Sequence, residues 1–288
     1  MNHPARSPVR ALYDWFVLPE GSTRSLALLR IGIVALIWCR WASAMVLVRM
    51  PGLGQSVLAL AFFLATALML VGLWTRFSAA ATALVMLVTY YYFGVYQGLE
   101  GWAKHHTCLL MMSAVLIALT PCGRSLSMDR FLAIRRAARS GGAIPDERGE
   151  LWGLRLIQVQ VFCVYFWSVA DKLNPAYLSG ERLQSILIWL YGGSGDPQWA
   201  GFPVLCLAMA WASVLIESTL AFGLFVPRWL KFLIPLGILL HGAFYILFPV
   251  STFSLNMILL YLAFIPAAWL HAGIDAMLAP VALRGGRS

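Results

Sequence analysis

The chain has 288 residues, 61% of them hydrophobic and only 11% charged, against roughly 25% charged in an ordinary soluble domain. That composition excludes a water-soluble fold, which has too little polar surface to cover so much apolar side chain. The net charge of +9 is spread beside the apolar runs, so it reads as membrane topology and headgroup attraction, and no nucleic-acid partner is expected.

In chain order, residues 1–25 are expected to form a cytoplasmic N-terminus. Pro4, Pro8, Asp14, Pro19 and Glu20 leave no room for the apolar core of a signal peptide. Val9 to Leu18 sets Leu12, Trp15 and Phe16 beside Arg10 and Asp14, which suits a helix lying on the membrane. Residues 26–271 read as a transmembrane bundle, because backbone groups in lipid must be satisfied internally and unbroken apolar runs select helices over alternating barrel strands. The expected fold is all-α, a polytopic membrane helix bundle of about eight spans. The spans lie near 26–48, 54–74, 77–97, 105–120, 151–170, 203–226, 230–248 and 252–270.

Three connections carry the remaining signals. The loop 121–150 is basic and expected to be cytoplasmic; Ser127 to Arg139 reads either as a second surface helix with Ser127 as N-cap or as a plain basic loop. Gly141 to Glu150 then reads as a flexible linker. The outer loop 171–202 holds Trp189, Tyr191 and Trp199, and residues 272–288 form a cytoplasmic tail. Arg6, Arg10, Arg24, Arg76, Arg124, Arg130, Arg135, Arg136, Arg139, Arg148, Arg155, Arg228, Lys231, Arg284 and Arg287 fall on one side of the expected spans, and Arg49, Lys104, Lys172 and Arg182 on the other. The positive-inside rule therefore puts both termini in the cytoplasm, in the inner membrane of a bacterial cell.

Ionisable groups inside spans cost at least about 2.5 kcal/mol each, so each implies a partner, a cavity or a task. Arg30 is expected to snorkel to the headgroups, and Glu217 to pair with Arg40 or with His241, for packing or for function. A second set lies at the outer helix ends: Trp102, Lys104, His105 and His106, then Asp171, Lys172 and Asn174 after the fifth span, and Asn256. Together these are expected to line one cavity. Cys39, Cys108, Cys122, Cys163 and Cys206 fall singly, so neither a disulfide framework nor a metal site is expected.

Several short motifs point to one family. They are Ser25-Leu26-Ala27-Leu28-Leu29-Arg30-Ile31-Gly32, His105-His106-Thr107-Cys108, Val164-Tyr165-Phe166, Asp171-Lys172-Leu173-Asn174-Pro175 with Ser179-Gly180, then His241 and the Phe253 to Pro266 helix. With them the chain resembles the horizontally transferred transmembrane (HTTM) domain family, to which the membrane part of vitamin K-dependent gamma-glutamyl carboxylase belongs. The resemblance implies a quinol-dependent carboxylase- or epoxidase-like enzyme with Lys172 as the base and His106 and His241 beside it. Asn256, Trp102, Tyr165, Glu217 and Arg40 are expected to bind the reduced quinone. The large lumenal region that handles the carboxylase's protein substrate has no counterpart here, so carboxylation of protein glutamates is not expected. The second reading is a non-catalytic module that binds membrane lipid or quinone through the same residues. Neither reading names a protein partner.

Overall fold

A computed structural model describes residues 7–17, 19–46, 52–192, 199–274 and 276. The end of the first expected span (47–48), part of the outer loop (193–198), Arg6, Arg49 and most of the 272–288 tail lie outside the described residues. The chain divides into two compact units, one formed by Met1–Gln158 with Tyr245–Ser288 and the other by Val159–Phe244.

The larger unit begins with α1 (Pro8–Val17), β1 (Glu20–Ser22) and α2 (Arg24–Trp41). It continues through α3 (Leu53–Val71), α4 (Thr75–Thr89) and a π-helical turn at Tyr90–Tyr96. After α5 (Glu100–Ala103) come α6 (His105–Ala118), α7 (Met128–Ser140) and β2 (Arg148–Glu150). The second unit holds most of α8 (Trp152–Lys172), then α9 (Pro175–Leu178), α10 (Glu181–Tyr191), α11 (Phe202–Gly223) and α12 (Leu230–Leu247). α13 (Ser251–Leu260) and α14 (Ala267–Ile274) return to the first unit.

Against the eight or so spans expected, five segments among the described residues are long and apolar enough to cross a membrane: Leu53–Val71, Thr75–Tyr96, Trp152–Lys172, Phe202–Gly223 and Pro227–Leu247. At about 1.5 Å per residue, their 19 to 22 residues reach about 30 Å, the thickness of the hydrocarbon core. Their outer faces carry large apolar side chains, among them Leu60, Leu64, Leu84, Leu215, Phe222, Leu239 and Ile246, whereas Thr66, Thr82, Ser213, Glu217 and His241 are buried. An exterior of large apolar side chains over a core that also holds polar groups suits a protein whose solvent is lipid. α2 differs, since Arg24, Arg30 and Arg40 interrupt its apolar sequence.

The last expected span is not one straight helix. Ser251–Ala263 and Ala267–Ile274 meet at 104° on either side of Pro266, which lacks an N–H and biases the preceding residue away from helical geometry. The 141–150 stretch also departs from expectation. Instead of a free linker, Arg148–Glu150 pairs antiparallel with Glu20–Ser22, and Glu147 forms ion pairs with Arg24 at 2.8 Å and Arg130 at 2.9 Å.

The helical alternative for 127–139 is the observed one, and the Ser127 hydroxyl accepts from the Arg130 amide at 3.0 Å. Arg30 does not snorkel. It is fully buried and donates to the carbonyls of Cys122 at 2.9 Å and Leu126 at 2.6 Å, so the guanidinium organises the loop after α6.

Candidate functional site

In the second unit α8 runs two residues further than expected, which places Lys172 on the last turn of a helix rather than in the outer loop. Ser168 lies one turn before it on the same face, and the Lys172 ammonium donates to the Ser168 hydroxyl at 2.7 Å. α11 brings Glu217 to the same point. Lys172 Nζ donates to its two carboxylate oxygens at 2.6 and 2.5 Å, with the side chains 14% and 3% exposed. All three ammonium protons therefore have acceptors. The expected pairing of Glu217 with Arg40 or His241 is replaced by Lys172, a partner 45 positions away.

Aromatic rings enclose this ion pair. Lys172 Nζ lies 5.8 Å from the Tyr177 ring and 5.9 Å from that of Phe244, both within cation–π reach. Tyr177 comes from the connection after α8, which folds into α9 because Asn174 caps it by accepting from the Tyr177 amide at 3.0 Å. The Tyr177 hydroxyl shares a 2.8 Å hydrogen bond with Ser213 of α11, and burial holds its phenol above the ordinary value, so it stays protonated. Gly180 keeps this connection against α11. Its φ is +83°, and a Cβ there would stand 2.6 Å from the Leu207 nitrogen.

His241 of α12 belongs to the same unit. Its Nε2 and the Tyr165 hydroxyl share a 2.8 Å hydrogen bond, and its ring lies 5.8 Å from Phe244. Phe244 is thus common to the lysine and the histidine. Four expected residues, Lys172, Glu217, Tyr165 and His241, are gathered here. Ser168, Tyr177, Ser213 and Phe244 were not anticipated, although the four-residue spacing of Ser168 and Lys172 on one helix was readable.

The other expected residues form a set in the larger unit. Trp102 is stacked between Trp41 and Phe93, with ring centroids at 5.4 and 4.9 Å. The Arg40 guanidinium donates to the Gly101 carbonyl at 3.1 Å. His106 is buried in the first turn of α6, 5.5 Å from the His105 ring. Two turns along the same face of α6, the Ser113 hydroxyl accepts from the Asn256 amide at 3.4 Å. Among the described residues no group of three or more His, Cys, Asp or Glu side chains could hold a metal ion.

No curated protein and no solved structure matches the chain. The family model of the HTTM domain matches residues 25–269, which take in both sets of residues, and this integral membrane protein belongs to the HTTM-domain family.

Proposed function

We propose that the chain is a membrane enzyme that uses a reduced quinone and dioxygen, with Lys172 as the base that removes a proton from the quinol hydroxyl. The observation that carries this reading is the contact of Lys172 Nζ with both Glu217 oxygens, at 2.6 and 2.5 Å, in a site whose carboxylate is 3% exposed. A resting lysine is an ammonium and cannot act as a base until it loses a proton. Here the acceptor is in direct contact. Transfer to Glu217 leaves a neutral amine beside a neutral acid, so the proton lost by the lysine has a defined place to go. The amine then takes the substrate's proton, and the ammonium so formed faces the resulting anion.

The residues suit a quinol. Tyr177 and Phe244 offer ring faces beside the amine, and the Tyr165–His241 pair offers a second hydroxyl and imidazole for orientation or proton relay. A reduced quinone supplies an acidic hydroxyl and two electrons; the chain supplies the base, its proton acceptor and a water-poor setting. We place this chemistry near the outer leaflet of a bacterial inner membrane, the orientation that the basic connections favour.

A second reading, binding of lipid or quinone without turnover, is favoured by the groove between α3 and α4. Its volume is about 610 Å³ and its lining, including Ala61, Leu64, Leu68, Phe77 and Val85, is almost entirely apolar, which suits a lipophilic chain.

Oxygen-dependent oxidation of a reduced quinone by the purified protein separates the two. The enzymatic reading expects turnover that falls by at least about 100-fold in Lys172→Ala. Oxidation at the wild-type rate in that variant would remove Lys172 from the mechanism. Bound lipophile in the mass spectrum of the purified protein, with no turnover, would leave the second reading.

A further inference from the structure

α7 presents a cationic and apolar face that nothing among the described residues covers. The helix has no buried residue. Its inner side is fixed to the larger unit: the Asp129 carboxylate accepts from the Trp74 amide at 2.9 Å and the Thr75 amide at 2.7 Å, and Arg130 pairs with Glu147. Those contacts engage the Asp129 and Glu147 carboxylates, and Glu147 also pairs with Arg24. Arg135, Arg136 and Arg139 on the outer side are exposed and have no acidic partner among the described residues. The Arg135 guanidinium lies 4.7 Å from the ring of Phe131, itself exposed.

The hydrogen bond from Trp74 also joins α7 to the start of α4, where Trp74 and Phe77 are 70% and 83% exposed. α4 and the π-turn that follows it make up one of the spanning segments. A tryptophan at the end of a span sits at headgroup level, so the arginines of α7 are held at the same level. Apolar side chains reach below the headgroups there, and guanidinium groups meet the phosphates.

We propose that α7, with the first turn of α4, is a binding ledge for anionic phospholipid headgroups. The occupant is the bilayer's own acidic lipid, because the ledge continues directly from a spanning helix and its charges past Asp129, with Arg76 of α4, are all positive. The inference does not depend on any catalytic role for Lys172.

Hydrogen–deuterium exchange of the full chain in nanodiscs tests it, comparing phosphatidylcholine alone with phosphatidylcholine plus phosphatidylglycerol. Amides of 128–140 are expected to exchange on the order of tenfold more slowly with the anionic lipid, and the difference is expected to shrink in high salt. The triple variant Arg135→Gln, Arg136→Gln, Arg139→Gln should lose the difference. The corresponding triple Arg→Lys variant should keep most of it, and exchange over α8 should be unchanged in both variants, which establishes that they are folded. Equal exchange of the wild-type helix in the two lipids would overturn the proposal, as would a lipid effect that survives the Gln substitutions.

Discussion

At the residue scale, the Lys172–Glu217 pair poses one question: whether its charge serves packing or chemistry. Removing two charges from water costs several kcal/mol each, and a well-packed apolar pair is often at least as stable. Removing one partner is a different event, because it strands the other. Glu217→Leu alone is expected to destabilise the protein by about 3–5 kcal/mol, and Lys172→Met alone by a similar amount. The double variant Lys172→Met, Glu217→Leu should recover most of that loss while remaining inactive in quinol oxidation. Thermal unfolding of the three variants in detergent measures it. A double variant as unstable as the singles would mean that the ion pair is a structural strut. The sequence made Lys172 and Glu217 conspicuous separately, as ionisable groups in apolar surroundings. It could not pair them, because the contact depends on how α8 and α11 turn about their axes, and apolar faces that meet lipid give little periodicity to fix that rotation.

Elements were legible where chemistry is local, and opaque where it is not. The spanning helices follow from apolar run length, and the Ser127 cap from a short polar side chain ahead of a helical run. The pairing of β1 with β2 joins residues about 128 positions apart, and three-residue strands leave no alternation to read. The start of α4 is a similar case. Its N-terminal residue is preceded by Trp74 in the left-handed region, at φ 47°, with no capping side chain of its own. The cap comes from Asp129 of α7, which accepts from the Trp74 and Thr75 amides and from the Thr75 hydroxyl at 2.7 Å. Burial alone would raise the Asp129 carboxyl, but these donors and the charge of Arg30 outweigh it and hold the group below its ordinary value. A carboxyl depressed in the folded state stabilises fully above its unfolded pKa, about 3.9, and that contribution is lost as pH falls through the folded value. Asp129→Ala is therefore expected to cost about 1 kcal/mol at neutral pH. The gap between wild type and variant should narrow only in acid, below about pH 4. Thermal unfolding of both proteins across that range is the measurement, and a gap independent of pH would assign the stabilisation to something other than the charged cap.

For the whole molecule, orientation in the bilayer decides where chemistry at Lys172 takes place. α8 is long and apolar enough, at 21 residues, to cross the bilayer once, and the connections at its two ends are then expected on opposite sides. The one before it contains Arg124, Arg130, Arg135, Arg136, Arg139 and Arg148; the one after it has Arg182 as its one basic residue. Arginine-rich short connections stay on the cytoplasmic side, so the proposed quinol site at the Lys172 end is expected to face outward. Ser140 and Ser179 are both exposed and flank α8, so each can report on one side. In a background with Cys39, Cys108 and Cys163 replaced by serine, Ser179→Cys should react with a membrane-impermeant maleimide added to intact cells. Ser140→Cys should react only in inverted vesicles or after permeabilisation. The reverse pattern would turn the protein over, put Lys172 in contact with the cytosolic side, and remove the outer-leaflet setting from the proposed quinol chemistry, while leaving the buried contact between Lys172 and Glu217 as it stands.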